Sequence, residues 1–435
     1  MLQSYEEALG WIHSRLRLGI KPGLKRMEWM LERLGNPEKG LKAIHVGGTN
    51  GKGSTVAYLR SVLNEAGYKV GTFTSPYIEQ FNERISVNGL PIQDNEITQL
   101  TNVIKPLSDE LEETDLGSPT EFEVITAMAL YYFGKMNPMD ITVIEVGLGG
   151  RFDSTNVIEP IASIITNIGM DHTQILGDTI SKIAFEKAGI IKQNTPIFTC
   201  VKNDEALAVL KEAANEKNSM MTQIGKDFFV SDYRSLEECE QFTYTSKWGD
   251  LKELQLSLLG KHQTDNAAGA IAALEYLNKN GFIQVDENKI RSGLKKAYWP
   301  GRMEILQQLP TVLIDGAHNP EGVQAFANAI GQRYKGRKVK IIFSALKDKD
   351  LTVMFKIFKQ MDVELYLTEF DFPRAASAEE LMVLSNNPMA HANSNWQELM
   401  RSLISSMRDD EVLAITGSLY FISTIKPFLK AVIGE

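Results

Sequence analysis

The stretch that most constrains the fold of this chain is HVGGTNGKGST, from His45 to Thr55. The apolar residues 43–46 indicate a buried strand, and helical spacing follows over residues 54–66. A strand, a glycine turn and a helix, in that order, present backbone amides to a phosphate chain. We therefore predict a phosphate-binding loop made of Gly48, Thr49, Asn50, Gly51, Lys52, Gly53, Ser54 and Thr55.

The chemistry of the predicted loop depends on its small, basic and hydroxyl residues. Its glycines let the backbone approach a ligand closely. Lys52 has the reach for the terminal phosphates, and a hydroxyl from Ser54 or Thr55 suits a nearby metal ion. The spacing departs from the usual motif, because Val46 stands where a glycine is expected and Gly53 separates Lys52 from Ser54. The prediction therefore depends on the strand, loop and helix together, and the alternative is a glycine turn without a ligand.

Composition limits the class of protein. The 435 residues exceed one ordinary core, so we expect two or three domains. The net charge of −9 argues against a general nucleic-acid or membrane surface, and an anionic ligand would need a local basic site. The two cysteines, Cys200 and Cys239, lie far apart, which predicts a reducing compartment. The N-terminus lacks signal-peptide features and no run of 18 apolar residues occurs, so we predict a cytoplasmic protein.

Strands alternate with helices over most of the chain, which predicts an α/β fold with a mainly parallel sheet. Short alternating segments at about 220–258 suggest a small antiparallel patch. Trp299-Pro300-Gly301 suggests a domain boundary, followed by a second alternating series of strands and helices. We predict a first domain over residues 1–297 and a smaller α/β domain over residues 298–435.

Three polar residues follow predicted strands on the edge that would carry the phosphate loop. Ligands collect at the carboxyl ends of strands in parallel sheets, and Ser75, Glu145 and His172 fall at or beyond such ends. A buried Glu145 needs a cation, which leaves metal ligation and a structural salt bridge as alternatives. Without other information, His172 also fits an ordinary loop histidine with its hydrogen bonds made within the protein, and Ser75 fits a simple turn before Pro76.

Eleven strings, in this order, carry a resemblance to a known family. The chain resembles the folylpolyglutamate synthase and dihydrofolate synthase family, within the ATP-dependent amide ligases that include the Mur enzymes. The strings are GTNGKGST, TSPYI, FNERIS, EVGLGGRFDSTN, DHTQILGDTI, EKAGIIK, HQTDNAAGA, WPGR, DGAHNP, SALKDKD and TGSLYF. The resemblance implies a phosphate-loop domain like the Mur central domain, followed by a smaller Rossmann-like α/β domain.

The family joins a carboxylate to an amine, with ATP and Mg²⁺. The resemblance implies that ATP phosphorylates the carboxylate of a pterin substrate and that L-glutamate attacks the acyl phosphate. Such catalysis is mostly positioning and charge neutralisation. It also implies two Mg²⁺ sites, one matching Ser75 and Glu145, the other matching His172 with Glu145.

Lys187 is the unexpected member of the implied metal site. An ammonium group repels Mg²⁺, and an ordinary lysine at a helix end, favoured by the helix dipole, is the alternative. In the family, the lysine of EKAGI is carbamylated by CO₂, which gives an anionic oxygen ligand. The matching residue is Lys187, and we hypothesise that it carries this carbamate.

The resemblance also implies ATP and substrate contacts. The implied ATP contacts are Asn266, Arg302, Asp315 and His318, with Asp315 and His318 also near the incoming glutamate. Ser418 matches a position that holds glutamate, although a helix N-cap is an equally good interpretation. The candidate pterin and glutamyl contacts are Phe81, Arg84, Thr120, Glu121, Phe122, Glu123, Arg151 and Asp153, because aromatic rings, carboxylates and arginines suit such a ligand.

The main prediction is a monomeric ligase that adds L-glutamate to the γ-carboxylate of a reduced folate. Glutamate addition to dihydropteroate, or an enzyme with both activities, is the nearest alternative. The loop LRLGIKPG resembles the pterin site of dihydropteroate-using members, but Lys21-Pro22 departs from their acidic pattern. A cell-wall Mur ligase fits FNERIS and GLGGRFDSTN less well. A regulatory nucleotide-binding protein without ligation is the alternative from another class.

Overall fold

The computed structural model describes residues 1–19 and 21–434. Ile20, in the predicted loop LRLGIKPG, lies outside the described residues. The fold is α/β, as predicted. One large and one small sheet lie in the first part of the chain, and a third sheet lies after residue 303.

The large sheet contains eight strands and positions the phosphate loop. In chain order the strands are β1 Ala43–Gly47, β2 Val70–Phe73, β3 Ile85–Val87, β4 Leu90–Pro91, β5 Ile141–Glu145, β6 Ala162–Ile165, β7 Ile197–Thr199 and β8 Met221–Gln223. Their spatial order is β4-β3-β2-β5-β1-β6-β7-β8; β3 pairs antiparallel with β2 and with β4, and the other pairs are parallel. β1 pairs in parallel with β5 on one side and β6 on the other, so the loop after β1 opens at a switch point of the sheet.

Helices cover both faces of this sheet. They are α1 Tyr5–His13, α2 Lys25–Arg33, α3 Lys52–Glu65, α4 Asp94–Glu112, α5 Glu121–Tyr131, α6 Thr173–Leu176, α7 Ile180–Ala188, α8 Asp204–Glu216, α9 His262–Lys279 and α10 Glu287–Lys296. α3 and α9 are buried along most of their length, since they pack between the large sheet and the small one. A helix buried in this way holds its N-terminus rigidly at the sheet edge.

The antiparallel patch is smaller than the sequence predicts. It comprises β9 Phe228–Ser235, β10 Glu240–Ser246 and β11 Gly249–Leu256, in the order β11-β10-β9. The segment that begins near residue 220 instead forms β8, which pairs in parallel with β7. Three half-buried residues at a sheet edge show no period that separates a parallel strand from an antiparallel one. That ambiguity explains the error.

The third sheet forms the smaller α/β unit. Its strands are β12 Glu304–Gln307, β13 Thr311–Ile314, β14 Val339–Phe343, β15 Glu364–Leu367, β16 His391–Ala392 and β17 Val412–Thr416, in the order β12-β13-β17-β14-β15-β16. Its helices are α11 Pro320–Arg333, α12 Leu351–Phe358, α13 Ala378–Ser385, α14 Trp396–Ser406 and α15 Leu419–Ile433. Two apolar clusters fill the two faces of this sheet, as a doubly wound fold requires.

Both cysteines are free thiols. Cys200 is buried and donates its thiol hydrogen to the carbonyl of Asp265, while Cys239 is partly exposed on the small sheet. Burial raises the pKa of both thiols. Among the described helices, none has the length and apolarity needed to cross a bilayer.

Candidate active site

Two adjoining cavities lie at the carboxyl ends of the parallel strands, between the two α/β units. The larger, of about 620 Å³, is lined by the phosphate loop, by Glu145 and Lys187, and by residues of the second unit such as His318 and Lys349. The smaller, of about 220 Å³, lies next to α9 and α11. Asn50, Gly51 and Arg302 line both cavities, so a single extended ligand can occupy the two together.

The phosphate loop is held from outside by the loop after β6. The amide of Thr49 donates to the carbonyl of Asn167 at 2.9 Å, and the amide of Asn50 donates to the Asn167 side-chain oxygen at 2.6 Å. α3 begins at Lys52, and the first amides of a helix have no partner within the helix. These amides and the helix dipole therefore point at the cavity and favour an anion.

Two lysines meet at one carbonyl oxygen of this loop. Lys52 Nζ donates to the Gly48 carbonyl at 3.2 Å, and Lys187 Nζ donates to the same oxygen at 2.9 Å. Lys187 is 4% exposed, and burial together with the charge of Lys52 lowers its pKa to about 7. α7 therefore delivers Lys187 to the phosphate loop, not to solvent at the helix end.

Glu145 ends β5 beside the loop and is 4% exposed. Its Oε2 accepts the backbone amide of Ser75 at 3.2 Å, which joins the ends of β5 and β2. Burial raises the pKa of Glu145 to about 7, although Lys52, the Ser75 amide and Arg302 all favour the charged carboxylate. A buried carboxylate with this little compensation is suited to bind a cation.

His172 lies at the cavity with a left-handed backbone (φ 50°) at the N-cap of α6. Its amide donates to the side chain of Asp171. Burial lowers the pKa of His172, so its ring is kept neutral and able to donate a lone pair.

Asp171 connects the two units. Its Oδ1 accepts Lys349 Nζ at 2.6 Å, and its Oδ2 accepts the Asn319 amide at 2.9 Å and lies 3.7 Å from His318 Nε2. Burial opposes the charge of this carboxylate, but Lys349 and the histidines outweigh burial and hold the pKa of Asp171 well below its usual range. Asp171 is therefore a permanent anion that three side chains of the second unit contact.

Asp315 directly follows β13, and both of its carboxylate oxygens accept backbone amides. Oδ2 accepts the Met303 amide and Oδ1 the Ala317 amide, each at 2.9 Å. Burial raises the pKa of Asp315, opposed by the nearby Arg302. The carboxylate thus fixes the backbone next to Arg302, at Met303, and next to His318, at Ala317. Burial and Lys349 lower the pKa of His318 to about 4.

Asn266, on the second turn of α9, contacts the phosphate loop at the smaller cavity. A Cβ on Gly51 would lie 2.3 Å from Asn266 Oδ1, so only glycine fits there. Ser54 also lines this smaller cavity, whereas Thr55 is fully buried and lines neither cavity.

The candidate pterin contacts divide into two groups. Arg84, Thr120, Glu121 and Phe122 line the larger cavity, and Arg84 lies 3.9 Å from the Glu121 carboxylate. Phe81 and Glu123 do not line it. Phe81 packs in the apolar core of the first unit, and Glu123 completes the capping box of α5 while binding Arg26 at 2.8 Å.

Arg151 and Asp153 shape the second glycine loop. Arg151 lies between the rings of Phe152 and Phe185 and binds Glu186 at 2.7 Å at the mouth of the larger cavity. Asp153 is buried and accepts the Leu148 amide at 2.8 Å, which closes the loop.

Ser418 is buried at the N-cap of α15, but its side chain makes no capping hydrogen bond. Ser418 lines the larger cavity.

Several residues that the sequence analysis did not select line this site. The unselected members are Lys21, Asp171, Glu321, Lys349 and Arg374. Asp171 and Lys349 stand inside strings that carry the family resemblance, DHTQILGDTI and SALKDKD. Each lies in the loop that follows a parallel strand, Asp171 after β6 and Lys349 after β14, and that position was the available signal.

The residues fit Mg²⁺ better than a metal held entirely by protein. Among the residues the structure describes, no group of three or more His, Cys, Asp or Glu side chains is placed to hold a metal. Mg²⁺ is commonly bound by one or two carboxylates together with substrate phosphates and waters. One buried carboxylate beside a phosphate loop matches that pattern.

Comparison with known proteins identifies the class. The model of the Mur ligase middle domain matches residues 46–274, and that of the Mur ligase glutamate ligase domain matches residues 301–419. The dihydrofolate synthase/folylpolyglutamate synthase of Bacillus subtilis (strain 168) is 47% identical over 434 residues, which cover 99% of this chain and 100% of that protein.

Solved structures agree. The Mycobacterium tuberculosis folylpolyglutamate synthase complexed with ADP has a TM-score of 0.90 and 27% identity, over 98% of each chain. An FPGS–AMPPCP–folate complex has a TM-score of 0.86 and 33% identity, over 98% of this chain and 100% of that one. This chain therefore belongs to the Mur ligase family of ATP-dependent ligases. Within it, the chain falls among the dihydrofolate synthases and folylpolyglutamate synthases, and it is an acid–amino-acid ligase of folate metabolism.

Proposed function

We propose that this enzyme adds L-glutamate to the γ-carboxylate of a reduced folate through an acyl phosphate. The observation that carries the proposal is the single cavity in which the phosphate loop, Glu145 and Lys187 of the first unit face His318 and Lys349 of the second. The relatives named above include folylpolyglutamate synthases, and one solved relative holds AMPPCP together with folate.

In the proposed first step, the ATP phosphates bind the amides at the start of α3 and Lys52. Lys52 stabilises the transferring phosphoryl group as its charge spreads over the oxygens. Asn266 and the smaller cavity are proposed to hold the nucleoside. Arg302 is also proposed to bind the phosphates, because it lines both cavities and lies at the start of the second unit.

Ser75, Glu145 and His172 are proposed to hold two Mg²⁺ ions with the phosphates. When bound, Mg²⁺ neutralises phosphate charge and orients the oxygens for transfer. Glu145 supplies the buried anion, and Ser75 lies next to it through the hydrogen bond from its amide. His172 supplies a neutral nitrogen.

Lys187 is proposed to be carbamylated. The neutral amine adds to CO₂, the new N–C bond forms, and one proton is released, which leaves an anionic carbamate. A pKa of about 7 provides the neutral amine that this addition needs, and one N–H remains to donate to the Gly48 carbonyl. We expect ¹³C-bicarbonate to give a carbamate NMR resonance that Lys187→Arg abolishes. A wild-type spectrum without that resonance would contradict the assignment.

The glutamate amine is proposed to attack the acyl phosphate from the second unit. Lys349 and Ser418 line the cavity on that side, where an ammonium donor and a hydroxyl suit a carboxylate. His318 is held neutral beside Asp171 and is placed to accept a proton from the attacking amine. Arg84, Arg151, Phe122 and the groups beside them are proposed to hold the folate.

Addition of glutamate to dihydropteroate is the second candidate activity. It is favoured by the double name of the Bacillus subtilis relative. Lys21, which lines the larger cavity and donates to the Ser118 carbonyl at 3.0 Å, stands where the dihydropteroate-using members have an acidic pattern and counts against it. The site is built from one chain, and we propose a monomer that acts in the cytoplasm, where ATP is supplied.

The decisive experiment supplies ATP, Mg²⁺ and labelled glutamate with either tetrahydrofolate or dihydropteroate. We expect labelled product and ADP with tetrahydrofolate, and product with dihydropteroate only if the second activity is present. Phosphate release that ignores both acceptors and glutamate would instead support a regulatory nucleotide-binding protein.

A further inference from the structure

One loop of the first unit is anchored in the second. Residues 75–80, which we call the bridging loop, run from β2 to the 3₁₀ helix Phe81–Arg84. Ile78 at its centre is 3% exposed and packs in the apolar cluster under the third sheet, with Leu306 and Ile422. The bridging loop is therefore packed on the second unit, although the strand before it belongs to the first.

An ion-pair cluster fixes the same loop. Lys426 of α15 is 0% exposed and binds Glu79 at 2.6 Å and Glu304 at 2.7 Å. Lys430 lies 3.4 Å from Glu79. Burial opposes the charge of Lys426, but the two carboxylates outweigh it and raise its pKa. A buried lysine that lost one of these partners would be costly, so the contact is strongly defined.

The bridging loop is rigid because one carboxylate binds three of its amides. Glu83 Oε2 accepts the Ile78 amide at 2.8 Å, and Oε1 accepts the amides of Glu79 and Gln80 at 2.9 Å each. Charge-assisted bonds of this kind hold backbone geometry well. A displacement at Glu79 is therefore transmitted along the loop.

The two ends of this rigid segment lie at the site. At one end, the Ser75 amide binds the Glu145 carboxylate. At the other end, Arg84 lines the larger cavity directly after Glu83. Through this one loop, the orientation of the second unit affects the positions of Ser75, a proposed metal ligand, and Arg84, a proposed substrate contact.

We propose that the bridging loop couples the seating of the second unit to the affinity of the first unit for the Mg²⁺–nucleotide, with Glu79, Ile78 and Lys426 as positioning residues. The inference rests on the proposed Mg²⁺ site at Ser75 and Glu145. None of these three residues lines either cavity, so their effect acts through the position of Ser75.

The test measures the Mg²⁺ concentration that half-saturates binding of a non-hydrolysable ATP analogue, by titration calorimetry on the full chain. The main variant is Glu79→Gln, which should fold because the Glu79 side chain is 41% exposed and Lys426 keeps Glu304. The second is Ile78→Ala. We expect each to raise that concentration about ten-fold, the usual size of an effect on a metal ligand's supports.

The matched control is Lys340→Met, which breaks the buried Lys340–Glu411 pair of the third sheet. It should lower the melting temperature and leave the Mg²⁺ requirement unchanged. The proposal is overturned if either loop variant keeps the wild-type requirement, or if the control shifts it equally. Because no turnover is needed, wild-type protein that binds Mg²⁺–nucleotide but makes no folate product would sink the proposed function alone.

Discussion

The carbonyl oxygen of Gly48 accepts hydrogen bonds from two lysines of the site, one from its own loop and one from α7. Two ammonium groups this close repel each other, and the Lys187 pKa of about 7 relieves that repulsion at neutral pH. We therefore propose different roles for the two lysines: Lys52 as the cation that binds phosphate, and Lys187 as the amine available for carbamylation.

Replacing Lys52 tests the cationic role. We expect Lys52→Met to lower kcat about 100- to 1,000-fold, because a preorganised charge at the transferring group is lost. Steady-state ADP release in the presence of folate and glutamate measures it. Lys182→Met is the control, since the Lys182 side chain is 62% exposed and binds only the surface residue Asp178. Equal losses in both variants would contradict the assignment.

His45 predicts a dependence of stability on pH. It is fully buried on β1, and burial lowers its pKa from 6.5 to about 3. Between these two pH values the unfolded chain binds more protons than the folded chain. The free energy of unfolding is therefore not reduced by His45 above pH 6.5, and it falls as the pH drops towards about 3. At about pH 4 the loss is roughly 3 kcal/mol.

Denaturant unfolding at several pH values measures this effect. We expect His45→Gln to reduce the slope of unfolding free energy against pH between about pH 6.5 and about pH 4. A slope equal to that of the wild type would show that His45 does not carry the effect.

At the scale of elements, the phosphate loop depends on close packing between β1, α3 and the loop after β6. A Cβ on Gly48 (φ 143°) would lie 2.0 Å from Thr166 Oγ1. Gly67 also has a positive φ of 89°, but no atom lies within 4 Å of its added Cβ. Alanine at Gly67 would introduce backbone strain alone, whereas alanine at Gly48 would add a steric conflict, so the two variants separate these effects.

We therefore expect Gly48→Ala to abolish binding of a fluorescent ATP analogue. Gly67→Ala should keep that affinity and lose only about 1 kcal/mol of stability from strain. Retained nucleotide affinity in Gly48→Ala would mean that the loop shifts without cost.

Sequence alone predicts the elements whose signal is local. β1 and β5 were found because apolar runs end at a glycine or a charge. The capping box of Thr120 and Glu123 at the start of α5 went unrecognised, and both residues were predicted as pterin contacts instead. α6 and α8 were not identified, and β8 was assigned to the wrong sheet because its three residues carry no clear period. The proposed metal and phosphate contacts followed from strand ends and resemblance. Asp171 and Lys349 were missed because their pairing joins positions 178 residues apart.

At the scale of the whole molecule, the two units meet at separate contacts of different chemistry. At the site, Asp171 accepts hydrogen bonds from Lys349 and Asn319 and lies 3.7 Å from His318. At a second contact, Glu240 of β10 binds Arg333 of α11 at 2.8 Å, with side chains 1% and 6% exposed. The small sheet therefore also holds the second unit, through a buried ion pair.

Removing the charge of Asp171 should uncouple glutamate chemistry from nucleotide binding. We expect Asp171→Asn to lower glutamate-dependent turnover at least about ten-fold, since truncating a buried charged contact between units costs about 2 kcal/mol or more. Affinity for the ATP analogue should change much less, because the phosphate loop keeps its contacts and the bridging loop stays packed on the second unit through Ile78 and Glu79.

Glu287→Gln is the control for that variant, because it breaks only the exposed pair with Arg291. Rapid-quench measurement of product, alongside analogue binding, separates the two effects. An Asp171→Asn enzyme that loses nucleotide affinity and turnover to the same extent would refute the separation.

The difference in exposure between the two thiols allows a spectroscopic label to be attached to the native chain at one of them. Cys200 is sealed in the interior, whereas Cys239 sits partly open beside the Glu240 and Arg333 contact. A maleimide dye would thus attach at one point on unmutated enzyme, slowly at neutral pH because both thiols resist ionisation. Its emission would report changes at the contact between the two units as nucleotide and amino acid bind.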